Sequence, residues 1–142
     1  MADANLWGTE TNSLSPADSL YVATPEGNTA MQVTWTKGFE LDTANLESVK
    51  TNGVYVIYQT GNPPSTIYVG KGEVSKRLSE HKTDKRFDGA RRAGKLFVTF
   101  AEIPAQSQEG VEKHLARLFA PKIGERHPEA VQEIAVNSPF AA

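Results

Sequence analysis

Two short apolar runs, GVYVIYQ at residues 53–59 and TIYVG at 66–70, flank the connection TGNPPS, and a helical pattern follows at once. A link this short and this rich in Gly and Pro directs the two runs into an antiparallel hairpin. Alternating Val, Ile and Tyr suit a pleated, half-buried surface. The period of two puts Gly53, Tyr55 and Ile57 on one face, and predicts that Thr66, Tyr68 and Gly70 share a face of the partner strand. Glycine inside a strand marks close approach by a ligand or another backbone. The helix, expected from about Glu73 to Lys82, carries Val74, Arg77, Leu78 and His81 at i, i+3, i+4 and i+7, on one side. Arginine and histidine within an apolar stripe cost desolvation unless they are paired or used.

The remaining pattern gives a third strand in LFVTFAEI, residues 96–103, ended by Pro104. A helix is expected from about Gln108 to Ala120, with Ser107 as N-cap and Val111, Leu115, Leu118 and Phe119 as its apolar stripe. Glu112 sits at the edge of that stripe. The segment TDKRFDGARRAGK reads as a polar loop, residues 44–49 as a short helical piece, and the tail after Ile123 as holding one more short helical stretch. Upstream, SLYVATPEGNTAMQVTW forms two β-prone runs around a Pro-Glu-Gly-Asn turn. The expected fold is an α/β domain of the α+β type, with a small, three-stranded, mainly antiparallel sheet flanked by helices and an N-terminal β-hairpin extension. The expected divisions are 1–36, a flexible N-terminus plus hairpin; 37–52, a connector; and 53–142, the main domain.

The 142-residue chain is the size of one domain with a modest appendage. It has no cysteine, which excludes disulfides and thiolate metal sites. No run approaches the roughly 18 apolar residues of a membrane span. MADANLWGTETNS lacks the basic and apolar regions of a secretory signal, so a cytoplasmic location is expected. Net charge is −2, but residues 71–95 hold nine Lys or Arg against four Asp or Glu. Such a local basic patch is the electrostatic footprint of a phosphate-backbone partner. VGKGE is no phosphate loop, because Ser65 stands at the place of its first Gly and Gly72 at that of its Ser/Thr. His81, His114 and His127 have no zinc-site spacing.

Taken singly, each unusual residue has an ordinary structural use. In order along the chain they resemble the GIY-YIG endonucleases: Gly53-Val54-Tyr55, Tyr68-Val69-Gly70, Lys71, then Arg77 and His81 four apart on a helix, then Glu112 about two and a half turns before Pro121. The resemblance covers about Gly53 to Asn137. One departure stands out: the asparagine that closely follows the proline in many members is missing, and Asn137 is the nearest candidate.

The resemblance implies metal-dependent hydrolysis of a DNA phosphodiester, on double-stranded DNA, with one Mg²⁺ or Mn²⁺ held by Glu112. Arg77 would clamp phosphate oxygens. Tyr55 or Tyr68 would activate water, His81 would orient that tyrosine or take its proton, and Asn137 would fill the asparagine role. Gly53 and Gly70 would serve the motif's structure. Lys71, Lys82, Lys85, Arg86, Arg91, Arg92 and Lys95 would line the DNA. Repair, restriction, homing and the biology of phages and mobile elements all use such domains. The alternative is a DNA-binding or phage assembly module that keeps the fold without catalysis. SLSPADSLYVATPEGNTAMQVTW, residues 13–35, resembles short β segments at the front of phage tail-fibre chains, which would make it an assembly or packaging tag fused to a nuclease, with residues 1–36 binding a protein partner or a second copy.

Overall fold

The structure is a computed structural model that describes residues 21–23, 29–124 and 130–140. The predicted flexibility of residues 1–17, the turn at 24–28 and His127 lie outside the described residues. Six strands and three α-helices form among the rest. The strands are β1 (Tyr21–Ala23), β2 (Thr29–Met31), β3 (Phe39–Glu40), β4 (Asn52–Gln59), β5 (Ser65–Glu73) and β6 (Phe97–Glu102). The helices are α1 (Val74–Lys82), α2 (Asp88–Ala93) and α3 (Ala105–Phe119), with a 3-10 turn at Lys85–Phe87.

β1 and β2 form the predicted hairpin, with Tyr21 opposite Met31 and Ala23 opposite Thr29. The main sheet is antiparallel throughout, but it has four strands rather than three, in the order β3-β6-β4-β5. The extra strand is two residues of the expected connector, Phe39 and Glu40, paired with Val98 and Phe97. Two residues are too few to give a period of two, which is why the pattern did not reveal it.

The sheet separates two apolar layers. Tyr55, Ile57, Tyr68, Val98 and Phe100 pack with Leu78 of α1, with Phe87 and with Leu41 and Leu46. On the other face Val54, Val56 and Val69 pack with Val111 and Leu115 of α3, with Met31 and with Val136. Val33 and Trp35 lie against this second cluster, so the packing runs across the expected boundary at residue 36. The C-terminal segment closes that layer. Val136 bridges Met31 in parallel, and the Ile134 N–H donates to the Gly110 carbonyl of α3 at 3.0 Å.

Several local expectations are corrected. A register shift between Ile57 and Tyr58 puts Tyr68 opposite Ile57 but Thr66 opposite Tyr58, so Ile67 is an extra residue. The bulge breaks the alternation, and Thr66 does not share the face of Tyr68 and Gly70. Residues 44–49 form turns, not a helix, with the Val49 N–H on the Leu46 carbonyl. α3 begins at Ala105 after Pro104, and Ser107 is buried in its first turn rather than capping it. Residues 130–140 contain no helix, and residues 125–129 of the tail expected to hold one lie outside the described residues. The polar loop after α1 is instead a 3-10 turn and α2, anchored by Phe87, which is fully buried. One aromatic among eight charged or small neighbours gives no period, but its burial is enough to order the segment.

Candidate active site

The two motif glycines are explained by what stands over them. A Cβ at Gly53 would run into the Ala101 carbonyl of β6, so this glycine admits a neighbouring backbone. Gly70 pairs with Tyr55, and a Cβ there would overlap the Tyr55 hydroxyl. Gly70 therefore makes room for a phenol laid across β5.

That phenol is the centre of a buried aromatic group. Tyr55 is 0% exposed, and Tyr68 and His81 are each 3% exposed. The Tyr55 and Tyr68 rings are stacked with centroids 6.2 Å apart. His81 lies against both, 5.6 Å from Tyr55 and 4.7 Å from Tyr68, and Phe87 covers the imidazole at 5.0 Å. Tyr55 Oη is 2.6 Å from His81 Nε2. Position i+7 of the α1 stripe thus turns histidine into the sheet, as the helical period predicted.

Charge surrounds the pair. Burial pushes the Tyr55 phenol up, and Tyr68 and Glu112 add to this, while Arg77 pulls the other way. Burial lowers the pKa of His81, opposed by Asp84, so the ring sits as neutral imidazole near pH 7. Arg77 is half-buried on α1, pairs with Glu80 at 3.3 Å and keeps its Nε buried without a hydrogen-bond partner among the described residues. The guanidinium lies against the Tyr55 phenol, and each favours the charged form of the other. Glu112 is half-buried beside Val111, and its charge is felt at Tyr55 from a different helix.

The structure therefore brings together Tyr55, Tyr68, Arg77, His81 and Glu112, with Gly70 beneath. Asn137 is placed elsewhere. Its Oδ1 accepts from the Val33 N–H at 2.7 Å and its Nδ2 donates to the Val33 carbonyl at 3.0 Å. The amide is committed to the segment that follows β2, as is its own carbonyl, which accepts from Trp35 Nε1 at 2.9 Å.

The basic residues divide into two sets. Arg91 binds Asp42 through two nitrogens and donates to the carbonyls of His81 and Lys82, so it fastens α2 to α1 and to the 42–46 segment. Lys82 donates to the Ala44 carbonyl at 2.6 Å. These two are internal ties. Lys85, Arg92 and Lys95 are exposed and Lys71 half-exposed, with Lys95 only loosely placed 4.0 Å from Glu40. Arg86 is exposed but committed in part: it chelates Asp84 and lies 5.6 Å over the Tyr68 ring.

Sequence reasoning missed Asp84. It accepts from the Arg86 backbone N–H at 2.9 Å, capping the 3-10 turn, and its Oδ2 faces His81 Nδ1 at 3.5 Å. The available signal was an acidic residue at i+3 from His81, directly before a turn.

Among the described residues no three His, Asp or Glu side chains converge to cage a metal. A single carboxylate with several retained waters is what Mg²⁺ commonly takes from a protein, so Glu112 beside the Tyr55–Arg77 group fits that ion. Among the described residues no helix is long and apolar enough to cross a membrane. Compared with models of protein families, with curated proteins and with solved structures, the chain matches none.

Proposed function

We propose that this chain is a metal-dependent DNA endonuclease of the GIY-YIG type, cutting phosphodiesters at the surface between β4, β5, α1 and α3. The observation that carries the reading is the 2.6 Å contact between the Tyr55 hydroxyl and His81 Nε2, with Arg77 and Glu112 both acting electrically on that phenol. Packing alone does not require a phenol to sit between a neutral imidazole and a guanidinium.

In the proposed reaction Arg77 holds the non-bridging phosphate oxygens, and its charge matches the charge that builds there. A water molecule gives a proton to Tyr55 Oη as the phenol proton passes to His81 Nε2. The hydroxide formed attacks phosphorus, the bond from phosphorus to the leaving oxygen breaks, and that oxygen takes a proton from solvent. His81 then releases its proton to water. Relaying through imidazole avoids a free tyrosinate, which burial disfavours. Tyr68 stacks beside the pair and fixes the position of both rings. A divalent ion on Glu112 would supply Lewis-acid stabilisation of the leaving oxygen and the phosphate.

DNA contact falls to Lys71, Lys85, Arg92 and Lys95, with no contribution from Lys82 or Arg91. A second reading, a DNA-binding module on the same fold, is favoured by one observation: the amide of Asn137 is spent on Val33. Incubation with supercoiled plasmid in Mg²⁺, and in chelator, separates the two. The nuclease reading expects nicking that needs Mg²⁺ and is lost in Glu112→Ala. Binding without nicking in any divalent ion supports the module.

A further inference from the structure

An acidic group stands behind the histidine. His81 has two ring nitrogens, and only one of its neutral tautomers leaves Nε2 free to accept from Tyr55. The choice is made at Nδ1. On that side stands Asp84 Oδ2, 3.5 Å away. This is longer than a good hydrogen bond, and Nδ1 is otherwise buried without a partner. The carboxylate is three residues further along the chain, and the Asp84 N–H is bonded to the His81 carbonyl at 3.2 Å, so backbone and side chain both keep the two residues together.

Asp84 is itself held. Its two oxygens accept from Arg86 Nε at 3.2 and 3.1 Å and from Arg86 Nη2 at 2.8 Å. The Arg86 pairing keeps its carboxyl down at about 2, so Asp84 faces the imidazole as an anion. The charged groups acting on His81 are Asp84, Arg77 and Arg86, and Asp84 is the one acceptor among them. An anion beside Nδ1 favours a proton there.

Resting on the nuclease reading for its consequence, we infer that Asp84, braced by Arg86, is a positioning residue that holds His81 in the Nδ1–H tautomer and so makes Nε2 the proton acceptor for Tyr55. The line Arg86–Asp84–His81–Tyr55 runs from exposed surface to the buried phenol. Arg86, placed among the DNA-binding cations by its charge, thereby has a second effect: phosphate that draws it away from Asp84 would alter the hold on His81.

The test uses the full chain labelled with ¹⁵N and long-range ¹H–¹⁵N spectra of the imidazoles, with His81 assigned by its loss in His81→Gln. Asp84→Asn is the variant, because asparagine still caps the turn through its side-chain oxygen while losing the charge. The wild type is expected to show the Nδ1–H tautomer. Asp84→Asn is expected to populate the Nε2–H form and to lower kcat about 10–100-fold, as removing a group that orients a working histidine does. KM for DNA should hold. A wild-type His81 in the Nε2–H form overturns the inference, and this result needs no variant to fold. An unchanged tautomer with unchanged kcat in Asp84→Asn also overturns it. If the wild type cuts no DNA while Asp84→Asn still moves the tautomer, the nuclease reading falls and the structural assignment of Asp84 stands.

Discussion

Tyr55 and Gly70 face each other across β4 and β5, and the phenol occupies the space that a side chain at position 70 would need. The glycine is therefore part of the site's geometry. Gly70→Ala should either displace the Tyr55 ring or strain β5, at a cost of about 1–3 kcal/mol, as for other overpacked cores. Urea unfolding together with cleavage checks this. Loss of both stability and cleavage is expected, whereas a stable and active Gly70→Ala protein would show that the phenol has another place to go.

His81 gives the fold a pH dependence of fixed sign. Its folded pKa lies below the ordinary value of about 6.5 because the ring is buried. Below about pH 6.5 the unfolded chain therefore binds the proton first, and stability falls as pH falls towards the folded pKa. His114, also lowered by burial, adds a slope in the same direction. Replacing His81 by Gln should leave only the slope from His114 and the carboxylates. Urea midpoints of both proteins between about pH 7.5 and 5 measure the difference, and identical slopes would mean that His81 titrates alike in the folded and unfolded chains.

Arg91 and Arg92 are neighbours with opposite assignments. Arg91→Glu removes the ties to Asp42 and to three carbonyls and places like charges together, so a loss of about 1–3 kcal/mol is expected. Arg92 is exposed, and Arg92→Glu should change stability by no more than about 0.5 kcal/mol. If Arg92 meets a phosphate, its loss flattens the log affinity against log salt slope by about 0.9. Thermal melts and salt-dependent binding of the two single variants separate a structural tie from a DNA contact.

Asn137 pins the segment after β2 to the C-terminal segment through two bonds to Val33. Asn137→Ala should cost about 1–3 kcal/mol, because it strands a partly buried N–H and carbonyl. Deleting residues 1–36 should go further and leave an insoluble or unfolded chain, since it removes Met31, Val33 and Trp35 from the α3 layer. Circular dichroism and soluble yield decide. A folded, active deletion would make that segment the detachable tag that its likeness to tail-fibre segments implies.

Strong patterns made the central hairpin and α1 legible: five apolar or aromatic positions in one strand run, three in the other, and a stripe that included His81. The same reasoning could not see what depends on contacts distant in sequence. β3 is two residues whose strand character comes wholly from pairing with Val98 and Phe97. The bulge at Ile67 is invisible because Ile67, Tyr68 and Val69 are apolar or aromatic in succession, so no alternation marks a shift. Arg91 and Arg92 are identical as residues, and what distinguishes them is contact: Arg91 meets Asp42, 49 positions earlier, and the carbonyls that end α1. Of the candidate site, Tyr55, Tyr68, Arg77, His81 and Glu112 were named from the family likeness and are brought together. Asn137 was named by distance along the chain and has its partner elsewhere. Asp84 was missed because an acidic residue before a turn looks like an ordinary cap, and it is one as well.

The most direct measurement is the single-turnover rate of cleavage of supercoiled plasmid in Mg²⁺, at saturating protein, for the wild type and for Arg77→Ala. Arg77 is half-exposed and caps no core, so the variant should keep its melting behaviour. The account predicts Mg²⁺-dependent nicking by the wild type and a rate about two to three orders of magnitude lower in folded Arg77→Ala, the usual cost of losing a charge aimed at the transition state. Equal rates in the two proteins, or no nicking by the wild type in any divalent ion, would contradict it.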